Sequence, residues 1–223
     1  MERMTRALIA LTSHDQLGDT GRKTGFYVGE AAEPWEVFRA AGWDVDLVSV
    51  AGGQPPLDGR DENDRTQNDF LATAGVAHTA KAAEVDPSRY DVIVFAGGHG
   101  TMWDFPNDPD LARIAADVYE RGGVVSAVCH GPSALVNLKL SDGSHLIAGK
   151  RVAGFTNSEE EAVGLTATVP FLLADKLTEA GATHVPAPDF TAHVVVDGRL
   201  VTGQNPQSAR ALAEAVVQAV HPA

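Results

Sequence analysis

The chain has 223 residues, 44% apolar and only 6% aromatic, and its 17 Lys and Arg against 30 Asp and Glu give a formal charge of −13. That length suits one α/β domain spanning 1–223 with an aliphatic core, and an acidic field without a Lys/Arg cluster argues against DNA or RNA as a partner. One cysteine allows no internal disulfide, the eight histidines have no HxxxH or CxxC zinc spacing, and nothing approaches a membrane span of about 18 apolar residues or a signal peptide, so the expectation is a cytoplasmic chain.

Short apolar runs alternate with amphipathic stretches, the pattern of a doubly wound, mostly parallel sheet flanked by helices. Residues 7–11 read as the first buried strand. Residues 31–41 read as a helix ended by Gly42, and 45–50 as the second strand, followed by a Gly/Pro-rich loop over 52–59. The segment 60–88 is polar, then Ala-rich, and yields little beyond some helix. A third strand over 92–96 runs into Gly97-Gly98-His99-Gly100. Residues 108–120 form a helix closed by Arg121-Gly122-Gly123, 124–128 a fourth strand and 132–138 the helix after it. A fifth strand is expected over 151–155, and a helix over 171–180 capped by Gly181. Residues 194–202 make a β-hairpin on Asp197-Gly198, and a helix over 206–220 carries Pro206 in its first turn. The sequence contains no internal repeat and no linker.

The sharpest local signal is the run from Gly122 to Ala134, in which apolar Val124-Val125-Ser126-Ala127-Val128 ends in Cys129-His130-Gly131-Pro132. A lone cysteine is usually an inert small hydrophobe. Here a strand stops and a helix is expected within three residues, so the thiol sits at the carboxyl end of the sheet, where open α/β sheets place ligands, on a nucleophile elbow. A helix start there would lower the thiol pKa from about 8.5 toward roughly 3.5–7.5. His130 is the candidate partner of Cys129.

Phe95-Ala96-Gly97-Gly98-His99-Gly100 is a strand followed by a glycine loop whose amides can point at a developing negative oxygen. It contains neither GxGxxG nor a Walker A motif, which argues against a nucleotide. Glu30 sits where a helix begins and reads, from spacing alone, as an acid stabilising that helix start. Glu159, Glu160 and Glu161 follow the fifth strand and the turn Thr156-Asn157-Ser158, and read as first-turn acids with Ser158 as N-cap. Tyr27, Trp35 and Trp103 read as core or as pocket wall.

Together, Lys23-Thr24-Gly25 through Glu30, Ala96 to Gly100, Ala127 to Pro132, Gly154-Phe155-Thr156 with its acidic run, and Asp197 to Pro206 resemble the ThiJ/PfpI superfamily. This is a branch of the class I glutamine amidotransferase-like fold, a flavodoxin-like sandwich. Within it the chain is most similar to the heat-shock chaperone and glutathione-independent glyoxalase (glyoxalase III) branch. The resemblance implies Cys129 as nucleophile, His130 as its partner, and Glu160 as the acid orienting His130, with Glu159 and Glu161 as near alternatives. It also implies Glu30 as a buried carboxyl at the sulfur, reversing the helix-start reading, an oxyanion site made by the backbone N–H groups of Gly98 and His130, and an oxyanion and substrate-binding loop of Gly97, Gly98 and His99. The activity implied is conversion of methylglyoxal or related 2-oxoaldehydes to 2-hydroxy acids, with no metal or organic cofactor, in a homodimer. Alternatives are a cysteine hydrolase of the amidase, peptidase or deglycase type, and a stress-linked holdase chaperone with a redox-sensitive Cys129.

Overall fold

The computed structural model describes residues 3–221. Met1, Glu2, Pro222 and Ala223, included in the 1–223 domain expected from sequence, lie outside the described residues. In chain order the strands are β1 (Arg6–Leu11), β2 (Phe26–Tyr27), β3 (Asp44–Ser49), β4 (Leu57–Asp58), β5 (Ala80–Lys81), β6 (Val92–Phe95), β7 (Val124–Val128), β8 (Arg151–Val152), β9 (Thr183–His184), β10 (Val194–Asp197) and β11 (Leu200–Gly203). The helices are α1 (Val28–Ala40), α2 (Arg65–Thr73), α3 (Thr101–Asp104), α4 (Pro109–Glu120), α5 (Asn157–Ala162), α6 (Leu173–Glu179) and α7 (Ala209–Val220).

Seven strands form one sheet in the order β10-β11-β7-β6-β1-β3-β5, parallel throughout except for the β10–β11 hairpin. Its central strands are apolar on both faces, as burial under helices requires: β6 and β7 are buried along their whole length, including Ser126. Helix α1 packs against α2 and α7, and α4 packs against β6 and β7. Asp108 starts α4 by accepting the Leu111 amide at 2.7 Å, with Pro109 in the first turn.

Three expectations change. The fifth strand is only Arg151–Val152, and it pairs with β9 outside the main sheet. Beyond it the chain is captured by the site: the Ala153 amide donates to Thr202 Oγ1 at 2.8 Å and the Phe155 amide to the Cys129 carbonyl at 2.9 Å. The helix expected over 132–138 is instead a five-residue 3-10 turn, Gly131–Leu135. The N-cap of α5 is Thr156 rather than Ser158; its hydroxyl accepts the Glu159 amide while the Glu159 carboxylate accepts the Thr156 amide.

The opaque segment 60–88 supplies α2 and the edge strand β5. The glycine-rich loop before it includes β4, which pairs with β2. The strand order reverses beside β1, so the chain ends leaving β6 and β7 open into a crevice at the carboxyl edge of the sheet.

Candidate active site

Cys129 follows β7 directly and has φ of +61°, a left-handed conformation that costs a non-glycine residue about 1–3 kcal/mol. The surrounding chain holds it there. Its amide donates to the Gly203 carbonyl at 3.0 Å, and its carbonyl accepts from Phe155. Close passage of the elbow over β6 demands glycine at 131, where a Cβ would lie 2.2 Å from the Phe95 carbonyl oxygen. The strained turn aims the side chain into a cavity of about 230 Å³ lined by Tyr27, Asp58, Gly98, His99, His130 and Phe155, with Val163 and Phe190 at its rim. The thiol is 4% exposed, so it meets this cavity rather than bulk water.

His130 packs beside the sulfur, with Nδ1 3.4 Å from Sγ. Its Nε2 lies 2.6 Å from Glu160 Oε2. Burial and the neighbouring His99 push His130 down to about 4. Glu160 is buried, which alone would raise it, but hydrogen bonds from His130 and His99 hold it down to about 2. A neutral imidazole facing an ionised carboxylate must place its proton on Nε2. The Nδ1 lone pair therefore faces the thiol.

The three consecutive glutamates separate cleanly. Glu160 meets His130. Glu159 caps α5 and accepts from the Phe190 amide and Asn205 Nδ2, each at 3.0 Å, and Glu161 is exposed. Glu30, which also reaches the sulfur, is 0% exposed in the first turn of α1. Its Oε2 accepts the Gly97 amide at 2.7 Å, and its Oε1 is sealed from solvent with no hydrogen-bond partner among the described residues. Burial pushes this carboxyl up to about 8, partly offset by the Cys129 thiol and the Gly97 amide and reinforced by the charge of Asp58.

Cys129 shifts opposite to the expectation from a helix start. Burial and then the charge of Glu30 push the thiol up, and the short 3-10 turn supplies no helix dipole to oppose them. Ionisation must come from the neighbours: a base at Nδ1, and a Glu30 that keeps its proton and so removes the adjacent negative charge.

The glycine loop after β6 approaches from the adjacent strand. A Cβ at Gly97 would stand 2.3 Å from Glu30 Oε2 and 3.0 Å from Cys129 Cβ. Gly98 has φ of +109°, and a Cβ there would meet the Gly25 carbonyl at 2.1 Å. Among the described residues the amides of Gly98 and His130 donate to no backbone carbonyl, and the His130 amide lies toward the sulfur. Tyr27 lines the cavity, whereas Trp35 packs on Phe70 and Trp103 stacks on His14.

The imidazole of His99 is the part that sequence reasoning missed: its Nε2 lies 2.7 Å from Glu160 Oε1. The available signal was that β6 and β7 are parallel neighbours, which places the residues after them side by side. His99, His130 and Glu160 also form a group of potential metal ligands. Both nitrogen–oxygen separations are those of charge-assisted hydrogen bonds; an ion bound at about 2.0–2.2 Å from each atom would force them apart. Phe190 and Val163 lie outside the recognised motifs, Val163 just beyond the acidic run, and nothing in the sequence singles them out.

A family model described as the DJ-1/PfpI family matches residues 23–219. The chain belongs to the DJ-1/PfpI family. Among members of that family, it is 40% identical to Glyoxalase 3 of Candida albicans, over 97% of this chain and 98% of that protein. It is 36% identical to the glutathione-independent glyoxalase HSP31 of Saccharomyces cerevisiae, over 96% of this chain and 98% of that one. The crystal structure of glyoxalase III from Candida albicans superposes with a TM-score of 0.89 at 36% identity, covering 97% of each chain. The mostly parallel sheet expected from the sequence is thus the sheet of this DJ-1/PfpI structure.

Proposed function

We propose that the chain is a glutathione-independent glyoxalase that converts methylglyoxal and related 2-oxoaldehydes to 2-hydroxy acids through Cys129. The observation carrying this reading is the relay from Cys129 Sγ through His130 to Glu160, opening on a small cavity beside two backbone amides that have no carbonyl partner among the described residues. The identity to glyoxalases over nearly the whole chain supports the same reading.

His130 Nδ1 accepts the thiol proton, and the resulting imidazolium is stabilised by Glu160. Protonated Glu30 offers its proton toward the sulfur, favouring the thiolate. The thiolate adds to the aldehyde carbon, and the new oxyanion accepts from the Gly98 and His130 amides before taking the proton back from His130 as a hemithioacetal. His130 then removes the proton from the former aldehyde carbon and returns it to the adjacent carbon, passing through an enediol to a lactoyl thioester. Water hydrolyses that thioester to lactate and regenerates the thiol. Atoms balance without an oxidant or reductant, because the oxidation of one carbon matches the reduction of its neighbour.

The same reading takes 1–223 as one domain acting as a cytoplasmic homodimer, an assembly state that sedimentation measures. No helix among the described residues is long and apolar enough to cross a membrane. The test is to supply purified protein with methylglyoxal, without glutathione, and follow lactate by NMR. Lactate is expected from the wild type and none above background from Cys129→Ala. Formation that survives Cys129→Ala would eliminate the thiolate mechanism.

A further inference from the structure

Two imidazoles share one carboxylate. His99 and His130 approach Glu160 through Nε2 at 2.7 and 2.6 Å, and their ring centroids lie 4.0 Å apart. They differ in what remains free. His130 is 1% exposed, with Nε2 on Glu160 and Nδ1 on the thiol. The His99 side chain is 17% exposed and lines the cavity beside Cys129. Its Nδ1 has no protein partner among the described residues, yet it is not among the buried unpartnered atoms, so it is open to solvent. Because the carboxylate accepts, Nε2 of His99 carries a proton, and in the neutral ring Nδ1 is then the nitrogen with the free lone pair.

The reaction needs a base three times, in two different places. The first two protons come from the thiol and from the former aldehyde carbon, where His130 already sits. The third comes from the water that attacks the thioester, and this water must arrive through the cavity. Once Cys129 is acylated, the buried Nδ1 of His130 faces the acyl sulfur and is shielded from incoming solvent. His99 presents the accessible lone pair, backed by the same carboxylate.

We propose that His99 is the general base of the hydrolytic half-reaction, a role that rests on the glyoxalase reading above. A water held at His99 Nδ1 gives it a proton, and the hydroxide attacks the thioester carbonyl carbon. The tetrahedral oxyanion accepts from the Gly98 and His130 amides. The carbon–sulfur bond then breaks, and the Cys129 thiolate leaves with the electron pair. The carboxylic acid gives its proton to that thiolate, and His99 returns its own to solvent. The net change is thioester plus water to carboxylate, thiol and one proton. Glu160 thereby serves two bases in turn, His130 for acylation and His99 for deacylation.

The experiment compares wild type with His99→Gln, whose amide retains a hydrogen bond to Glu160 but supplies no base. Full-length protein is mixed with methylglyoxal, quenched in acid during turnover, desalted and weighed intact. In His99→Gln, kcat should fall about 100-fold or more. The protein should also carry one methylglyoxal-derived unit on Cys129 that survives dilution and is cleaved by hydroxylamine, as a thioester is and a hemithioacetal is not. Wild type should show little of it. The rate of Cys129 alkylation by iodoacetamide should be the same in both proteins, since His130 still takes the thiol proton.

Unchanged turnover, or lost turnover without the adduct, would overturn the proposal. So would slowed alkylation, which would make His99 a residue that only positions Glu160. Should His99→Gln fail to fold, His99→Asn is read by the same three measurements. Wild type that yields neither lactate nor adduct would instead sink the glyoxalase reading itself, a result separable from any His99 outcome.

Discussion

Glu30 and Glu160 both serve one active-site turn, both out of water, and hold different charge states. Burial drives Glu30 up to about 8 because one backbone amide is all that its carboxylate form receives from a donor other than the thiol. Glu160 has comparable residue burial but is held down to about 2 by two imidazole donors. Burial alone does not set the charge of an internal carboxyl; the number of donors aimed at it does. The cysteine consequently faces both a proton donor and an ionised base system.

The comparison breaks most completely at Glu160. Glu160→Gln removes the charge that fixes the His130 tautomer, and should lower kcat/KM by about 10²–10⁴-fold in a steady-state lactate assay. Neither neighbour can replace it, because Glu159 is committed to the α5 cap and Glu161 faces solvent. Glu161→Gln should leave the rate unchanged, and a large loss there would show that the wrong glutamate has been assigned. Gly97→Ala should be next, since its Cβ would press on Glu30 Oε2 and on the Val128 carbonyl at 2.7 Å. The expected result is a loss of about 1–3 kcal/mol in urea unfolding together with a fall in activity.

Glu30→Gln sharpens the contrast through stability. The folded protein retains a proton on Glu30 from the ordinary carboxyl value of 4.5 up to about 8, whereas the unfolded chain loses it near 4.5. Stability from this group is therefore full below 4.5 and drains away as pH rises toward 8, by up to about 1.4 kcal/mol per pH unit. The variant lacks that slope, so urea unfolding should show it gaining on wild type between pH 5 and pH 8. A gap independent of pH would contradict the protonated state. A smaller loss is expected at Thr156→Ala, which removes the α5 cap for about 1 kcal/mol and loosens the helix that carries Glu160.

Much of this arrangement was legible in the sequence where a local rule applied. The strand ending at Val128 and the glycines at 97, 98 and 131 announced a turn with a nucleophile at the carboxyl edge of the sheet. The chain after Val152 misled because its expected strand pairing was replaced by bonds to Thr202 and to the elbow, both distant in sequence. The charge states were illegible for a related reason. Spacing shows that Cys129 precedes a turn, but not that Glu30 arrives from α1 to face it, and burial reversed the expected direction of the thiol pKa. Spacing alone left the three adjacent glutamates alike, and only the structure shows the Thr156 cap taking Glu159 while Glu160 meets His130.

The central claim is that Cys129 reacts between a protonated Glu30 and a neutral His130 oriented by an ionised Glu160. The pH dependence of kcat/KM for lactate formation, measured for wild type and Glu30→Gln, tests it most directly because this ratio reports the free enzyme. Wild-type rates should rise through about 4 as His130 loses its proton and fall above about 8 as Glu30 loses its own. In Glu30→Gln the alkaline fall should vanish while the acid limb stays. An alkaline limb that persists in Glu30→Gln, or a wild-type rate that climbs through 8, would contradict the account.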